Sequence, residues 1–129
     1  MQGRQNISSG TKWEKSVGYS RAVKAGNIIE VSGTVAIDNG SVVGKDNAYE
    51  QTRFIIKKIE TALKQAGSGL TDVVRTRIFT TDISKWEEIG MAHGEFFGTI
   101  LPAATMVEVK ALINPELLVE MEATAIIHS

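Results

Sequence analysis

The sequence predicts an α+β domain in which two helices cover one face of a β-sheet. Three observations lead there. Short β-branched runs broken by Gly-containing turns fill the first third, a long stretch with apolar residues at three- and four-residue steps follows, and alternating patterns return toward the C-terminal end. With 129 residues, 43% of them hydrophobic and 22% charged, the chain has the size and composition of one domain spanning residues 1–129.

The extended segments come first: Tyr19 to Lys24 and Ile28 to Ser32 around a Gly26-Asn27 turn, then Thr34 to Ile37 and Ser41 to Val43. Asn47 to Ala66 changes period, with Ala48, Thr52, Ile55, Ile59, Ala62, Leu63 and Ala66 forming one apolar stripe of a helix. Asn47 suits its N-cap and Gly67 the left-handed residue that ends it. Val73 to Thr80 reads as a strand. Ser84 with Glu87 has capping-box spacing for a second helix, whose Ile89, His93, Phe96 and Ile100 share a face before Pro102. Thr105 to Lys110 and Leu117 to Ile127 are the last strands, parted by an Asn114-Pro115 turn, so the expected order is ββββαβαββ.

Two helices suffice for one face of this sheet, so the other is left for water or for another copy of the chain. In the last strand Val119, Met121, Ala123, Ala125 and Ile127 form the core set, while Leu118, Glu120, Glu122, Thr124 and Ile126 point the other way. In the 73–80 strand the same alternation groups Arg75 and Arg77 with Val73 and Phe79, opposite Val74, Ile78 and Thr80. Arginines, carboxylates and apolar side chains on one face fit a polar subunit interface, where the planar guanidinium pairs carboxylates. Self-association is therefore expected.

Several chemistries find no residues to run on. Cysteine is absent, which removes disulfides, thiolate metal sites and thiol nucleophiles. His93 has no nearby His or Cys partner and His128 is next to the last residue, so no metal site is expected, and no cofactor motif is present. Ser32 lies outside any nucleophile-elbow motif. A net charge of -1 with scattered Lys and Arg gives no stripe for a phosphate backbone, so nucleic acid is not an expected partner. Residues 1–15 carry no apolar signal segment and no window approaches the ~18 apolar residues of a membrane span. A cytoplasmic protein with no membrane partner is the expectation. Trp13 and Trp86 suit packing at element ends or a pocket mouth.

Five segments taken in order resemble the Rid/YjgF family of reactive-intermediate deaminases, some of whose members carry the names endoribonuclease or translation inhibitor. They are Gly18-Tyr19-Ser20-Arg21-Ala22, Gly26-Asn27-Ile28-Ile29-Glu30-Val31-Ser32-Gly33, Phe96-Phe97, Pro102-Ala103-Ala104-Thr105-Met106-Val107-Glu108-Val109, and Val119-Glu120-Met121-Glu122-Ala123. The resemblance covers nearly the whole chain. It implies a chorismate-mutase-like mixed sheet and a homotrimer with three small-molecule clefts at its subunit boundaries. In deaminase members the cleft holds an imine or enamine derived from an amino acid, an arginine two residues after the Pro clamps the substrate carboxylate, and a glutamate helps water attack the imine carbon.

Carried over by position, the resemblance makes Glu120 the water-activating group and places Tyr19, Ser32, Gly33, Ala104 and Thr105 along the pocket, with His93 and Arg21 as further candidates. The arginine position is Ala104 here, the asparagine position of the second helix is Gly90, and a frequent cysteine position is Met106. Losing a bidentate, charge-assisted contact removes several kcal/mol of substrate binding, so ordinary 2-imino acid deamination is not expected. Arg21, Arg75 and Arg77 are the cations that could replace the clamp, although each suits an interface or surface pair better than an anion site and none stands out. Glu120 is equally suited to an interfacial ion pair, and His93 to a satisfied place at the core boundary. Three readings stay open: hydrolysis of a reactive imine or enamine without the usual clamp, a trimer that binds a metabolite or regulates a partner without chemistry, and, less favoured, an endoribonuclease or translation inhibitor.

Overall fold

A computed structural model of the chain describes residues 3–128. Its framework is a six-stranded sheet in the order β1-β2-β3-β8-β6-β7, built from Arg4–Ile7 (β1), Ala22–Ala25 (β2), Ile28–Val35 (β3), Val73–Thr80 (β6), Ala103–Glu108 (β7) and Val119–Ile126 (β8). Ile37–Asp38 (β4) and Ser41–Val42 (β5) pair separately as a small antiparallel ribbon. Only β6 and β7 run parallel, so the sheet is mixed. The helices are Lys12–Val17 (α1), Ala48–Gln65 (α2) and Trp86–Phe97 (α3).

The turns follow from local chemistry. Gly26, at φ 64°, makes the two-residue connection that pairs Ala25 with Ile28. Asn47 Oδ1 accepts from the Glu50 N–H at 3.0 Å at the start of α2. At the other end Gly67 is left-handed, and the Ser68 and Gly67 N–H groups donate back to Leu63 and Lys64 carbonyls in a Schellman arrangement. Asn114 holds its turn by accepting from the Glu116 and Leu117 N–H groups.

The stripe of α2 lies buried on the sheet as expected, with Ile55, Ile56, Ile59 and Leu63 fully covered and in contact with Ile29, Val119, Met121 and Ala125 in one core. From α3, Ile89, Ala92 and Phe97 go fully into the interior, whereas Phe96 and Ile100 are only partly buried. Both long helices thus pack on one side, and β8 alternates without exception, burying Val119, Met121, Ala123 and Ala125.

Five expectations are corrected. The N-terminal region folds into β1 and α1, which no apolar period announced. The segments at 28–32 and 34–37 are mainly one strand: β3 carries a bulge between Val31 and Thr34, so Ile29 and Val31 face the core and, one step out of phase, so does Thr34. A second bulge between Val73 and Arg75 turns Val73 into the core with Thr76, Ile78 and Thr80, away from Arg75 and Arg77. Ser84 and Glu87 form no capping box. Asp82 caps instead, accepting from the Ser84 N–H and hydroxyl to open a short 3-10 turn at Ile83–Lys85, and α3 begins at Trp86. Leu118, expected on the open face, packs partly against the core.

Candidate functional site

The face of the sheet that α2 and α3 leave uncovered is polar and internally paired. Thr124 donates to Glu30 at 2.6 Å, Arg77 stands 3.6 Å from Glu122, and Arg75 donates to Thr105 at 2.6 Å. Among these side chains lie Ile28, 44% exposed, and Val107, 42% exposed. Ion pairs this accessible contribute about 0–1 kcal/mol each, so their arrangement holds the face in shape more than it stabilises the fold.

At one end of this face the β3 bulge brings together Arg21, Ser32, Gly33, Thr34 and Glu120. Ser32 Oγ donates to the Ser20 carbonyl at 2.6 Å, which ties the bulge to the segment leading into β2. Arg21 Nη1 donates to the Gly33 carbonyl at 2.9 Å and to Thr34 Oγ1 at 3.0 Å, and Thr34 Oγ1 donates to the Ser32 carbonyl. The Tyr19 ring flanks the guanidinium, with its centroid 5.7 Å away. Glu120 reaches this corner from β8, where it pairs with Val35 across β3 and with Phe79 across β6. Its carboxyl lies over the Gly33 backbone, in the space a Cβ would fill.

Burial pushes the Glu120 carboxyl above its ordinary pKa of 4.5, with Glu122 adding to the rise and Arg21 opposing it. A carboxyl so placed exchanges a proton at a higher pH than a free glutamate, as a general acid or base requires.

Beside this corner an open hollow of about 520 Å³ is lined by Tyr19, Ser20 and Ser32 together with Arg4, Asn6 and Lys15. Glu14 lines it too. This buried carboxylate accepts from Ser8, from the backbone and hydroxyl of Ser9, and from Thr11. Burial alone would raise its pKa, but those hydrogen bonds outweigh burial and hold it below the ordinary value. Sequence pattern alone does not bring Glu14 forward; its one signal is the Thr11-x-x-Glu14 spacing at the start of α1.

The remaining candidates stand elsewhere. Ala104 is exposed on β7, paired with Thr76 of β6 and so on the helix-covered side. His93 is on that side too: its Nε2 is 2.9 Å from Thr76 Oγ1, its ring is 4.6 Å from that of Phe97, and burial lowers its pKa. Thr105 lies on the open face at the sheet edge, held by Arg75. Strand β7 is three strands from β3, roughly 14 Å at about 4.8 Å per strand. Within one chain, therefore, Tyr19, Arg21, Ser32, Gly33 and Glu120 meet, and Ala104, Thr105 and His93 do not join them.

A family model described as Endoribonuclease L-PSP matches residues 11–127. The chain belongs to this family, the YjgF or Rid group. Rv2704 from Mycobacterium tuberculosis, a YjgF/YER057c/UK114 family member, superimposes with a TM-score of 0.89 at 50% identity, covering 97% of this chain and 100% of that one. A RutC family protein from Pyrococcus abyssi is 38% identical over 88% of this chain and 91% of its own length. The 3-aminoacrylate deaminase RutC of Acinetobacter baylyi is 36% identical over 83% of this chain and 85% of that protein. The YjgF fold accounts for the mixed sheet with its two long helices on one side. Among the described residues no helix is long and apolar enough to cross a membrane, and no group of three His, Cys, Asp or Glu side chains is gathered as for a metal ion.

Proposed function

We propose that this YjgF-family chain works in the cytoplasm as a homotrimer, each copy a single domain, and hydrolyses a reactive imine or enamine in clefts between its subunits, with Glu120 as the proton-transfer group. The observation that carries this reading is the half-buried Glu120 carboxyl, seated on Gly33 beside Ser32 and Arg21 with its pKa raised. In its protonated form it donates to the imine nitrogen, which makes the imine carbon more electrophilic. Water then adds to that carbon and returns a proton to the carboxylate. Glu120 then passes that proton to the amino nitrogen of the carbinolamine, and as the C–N bond breaks the hydroxyl proton goes to the carboxylate, so that ammonia and a carbonyl compound leave. A relative named for deaminating 3-aminoacrylate, an enamine, supports this substrate class.

The same geometry supports self-association, and the trimer is the form that the family resemblance implies. Tyr19, Ser32 and Glu120 occupy one end of the open face and Ala104 and Thr105 the distant edge strand, so a cleft using both sets takes them from two copies of the chain. Ammonia release from a panel of small imines and enamines tests the reading. The wild-type chain should accelerate it, and Glu120→Gln should reduce the rate by about 100-fold. If the wild type accelerates none of them, the proposal is wrong.

Ala104 favours a second reading, in which the cleft binds a metabolite without turning it over, because an exposed alanine offers a substrate neither charge nor hydrogen bond. Ligands that raise the melting temperature and emerge unchanged would select that reading.

A further inference from the structure

We infer that Arg21 supplies the anion clamp of this site, so that the ligand it accepts carries a carboxylate. This rests on the reading of the Glu120 corner as a small-molecule cleft and names the chemistry that the cleft selects.

The guanidinium is held at one end only. Nη1 is fixed by the Gly33 carbonyl and Thr34 Oγ1, both in the β3 bulge. Nε is the one buried side-chain nitrogen or oxygen among the described residues that lacks a hydrogen-bond partner, and Nη2 forms no hydrogen bond with another described residue either. The Nε–H and Nη2–H bonds point along the same edge of the guanidinium plane, spaced to meet the two oxygens of a carboxylate. Buried polar groups in folded proteins are paired almost without exception, so an oriented and unpartnered fork marks a place for an acceptor.

The other arginines of the open face differ in this respect. Arg75 is bonded to Thr105 and Arg77 is paired with Glu122. Among the described residues, the carboxylate of the same corner, Glu120, feels the Arg21 charge but forms no hydrogen bond or salt bridge with it. Tyr19 links the two places: its ring flanks the guanidinium, is 39% exposed and also lines the hollow, so a ligand lying there would meet the fork by displacing this ring. A carboxylate held by Arg21 leaves the rest of the ligand beside Ser32 and Glu120. The clamp has then moved from the edge strand, where Ala104 stands, to the strand that carries the other polar groups of the site.

Isothermal titration of the full chain with 2-oxopentanoate and with its uncharged isostere 2-oxopentanamide tests this. The wild type should bind the acid at least about 10-fold more tightly than the amide, Arg21→Gln should erase the preference, and Lys57→Gln, on the exposed side of α2, should keep it. Arg21→Lys retains the charge but not the fork, so a drop in affinity for the acid alone reports the clamp even if the Gln variant folds poorly. Equal binding of acid and amide by the wild type, or a preference that survives Arg21→Gln, overturns the clamp and leaves the cleft standing. Binding of neither compound overturns both.

Discussion

Gly33 and Glu120 share a space that only glycine leaves free: a Cβ at position 33 would lie 3.1 Å from the Glu120 carboxyl carbon and closer still to Oε2. The carboxyl is therefore seated on main chain, and its position is set by a residue that does no chemistry itself. Gly33→Ala should push the end of a flexible side chain aside at a cost of about 1 kcal/mol or less. The melting temperature should barely move while ammonia release falls by about 100-fold, which a thermal melt and a coupled ammonia assay read separately.

The raised pKa of Glu120 has a definite sign in stability. The native state holds that proton more tightly than the unfolded chain does, so the contribution is lost as pH rises from the ordinary 4.5 through the raised native value. Glu120→Gln removes the dependence. Urea midpoints should show the variant gaining on the wild type as pH rises above the ordinary 4.5, and no relative gain would mean that the carboxyl is solvated in the native protein.

Glu14 behaves in the opposite sense. Its pKa is lowered, so it stabilises the native state above the ordinary 4.5 and that contribution disappears as pH falls through the native value. Glu14→Gln should cost about 1–3 kcal/mol at neutral pH, because an amide presents donors to the hydroxyls and N–H that now donate to Glu14. Denaturant titration gives the magnitude, and faster hydrogen exchange at Ser9 would locate the loss.

Thr124 lies at the centre of the open face, next to Glu30 and paired across β6 with Arg75. Thr124→Arg sets a second cation opposite Arg75 on a surface proposed to be buried between subunits. Sedimentation should report a trimer for the wild type and a single chain for the variant, with far-UV circular dichroism unchanged. A wild type that sediments as one chain at micromolar concentration would contradict the assembly.

Strongly periodic elements were legible from the sequence. Helix α2, its Asn47 cap and its Gly67 terminus appear within a residue or two of their expected places, because burial, capping and left-handed geometry all point the same way there. What failed was parity. A period of two locates side chains only while the ladder stays regular: the bulge at Val73/Arg75 inverts Val73, which precedes it, and the one at Val31/Thr34 shifts Thr34, which follows it. Strand β1 is nearly all exposed, with Ile7 alone buried, and leaves no apolar pattern to read. At the site, the grouping of Tyr19, Arg21, Ser32, Gly33 and Glu120 came through resemblance and position. The anchoring of Arg21 by the bulge, and its orphaned Nε, had no signature in one dimension because they depend on two strands meeting out of phase.

The extra residue in β3 also bears on attempts to improve this protein. Deleting Ser32 or Gly33 would restore an unbroken ladder, a change that would ordinarily favour a sheet. Here it would withdraw the carbonyl that steadies one guanidinium and close the gap where one carboxyl rests. The least regular pair of residues in the sheet is the pair that stabilising redesign should leave alone.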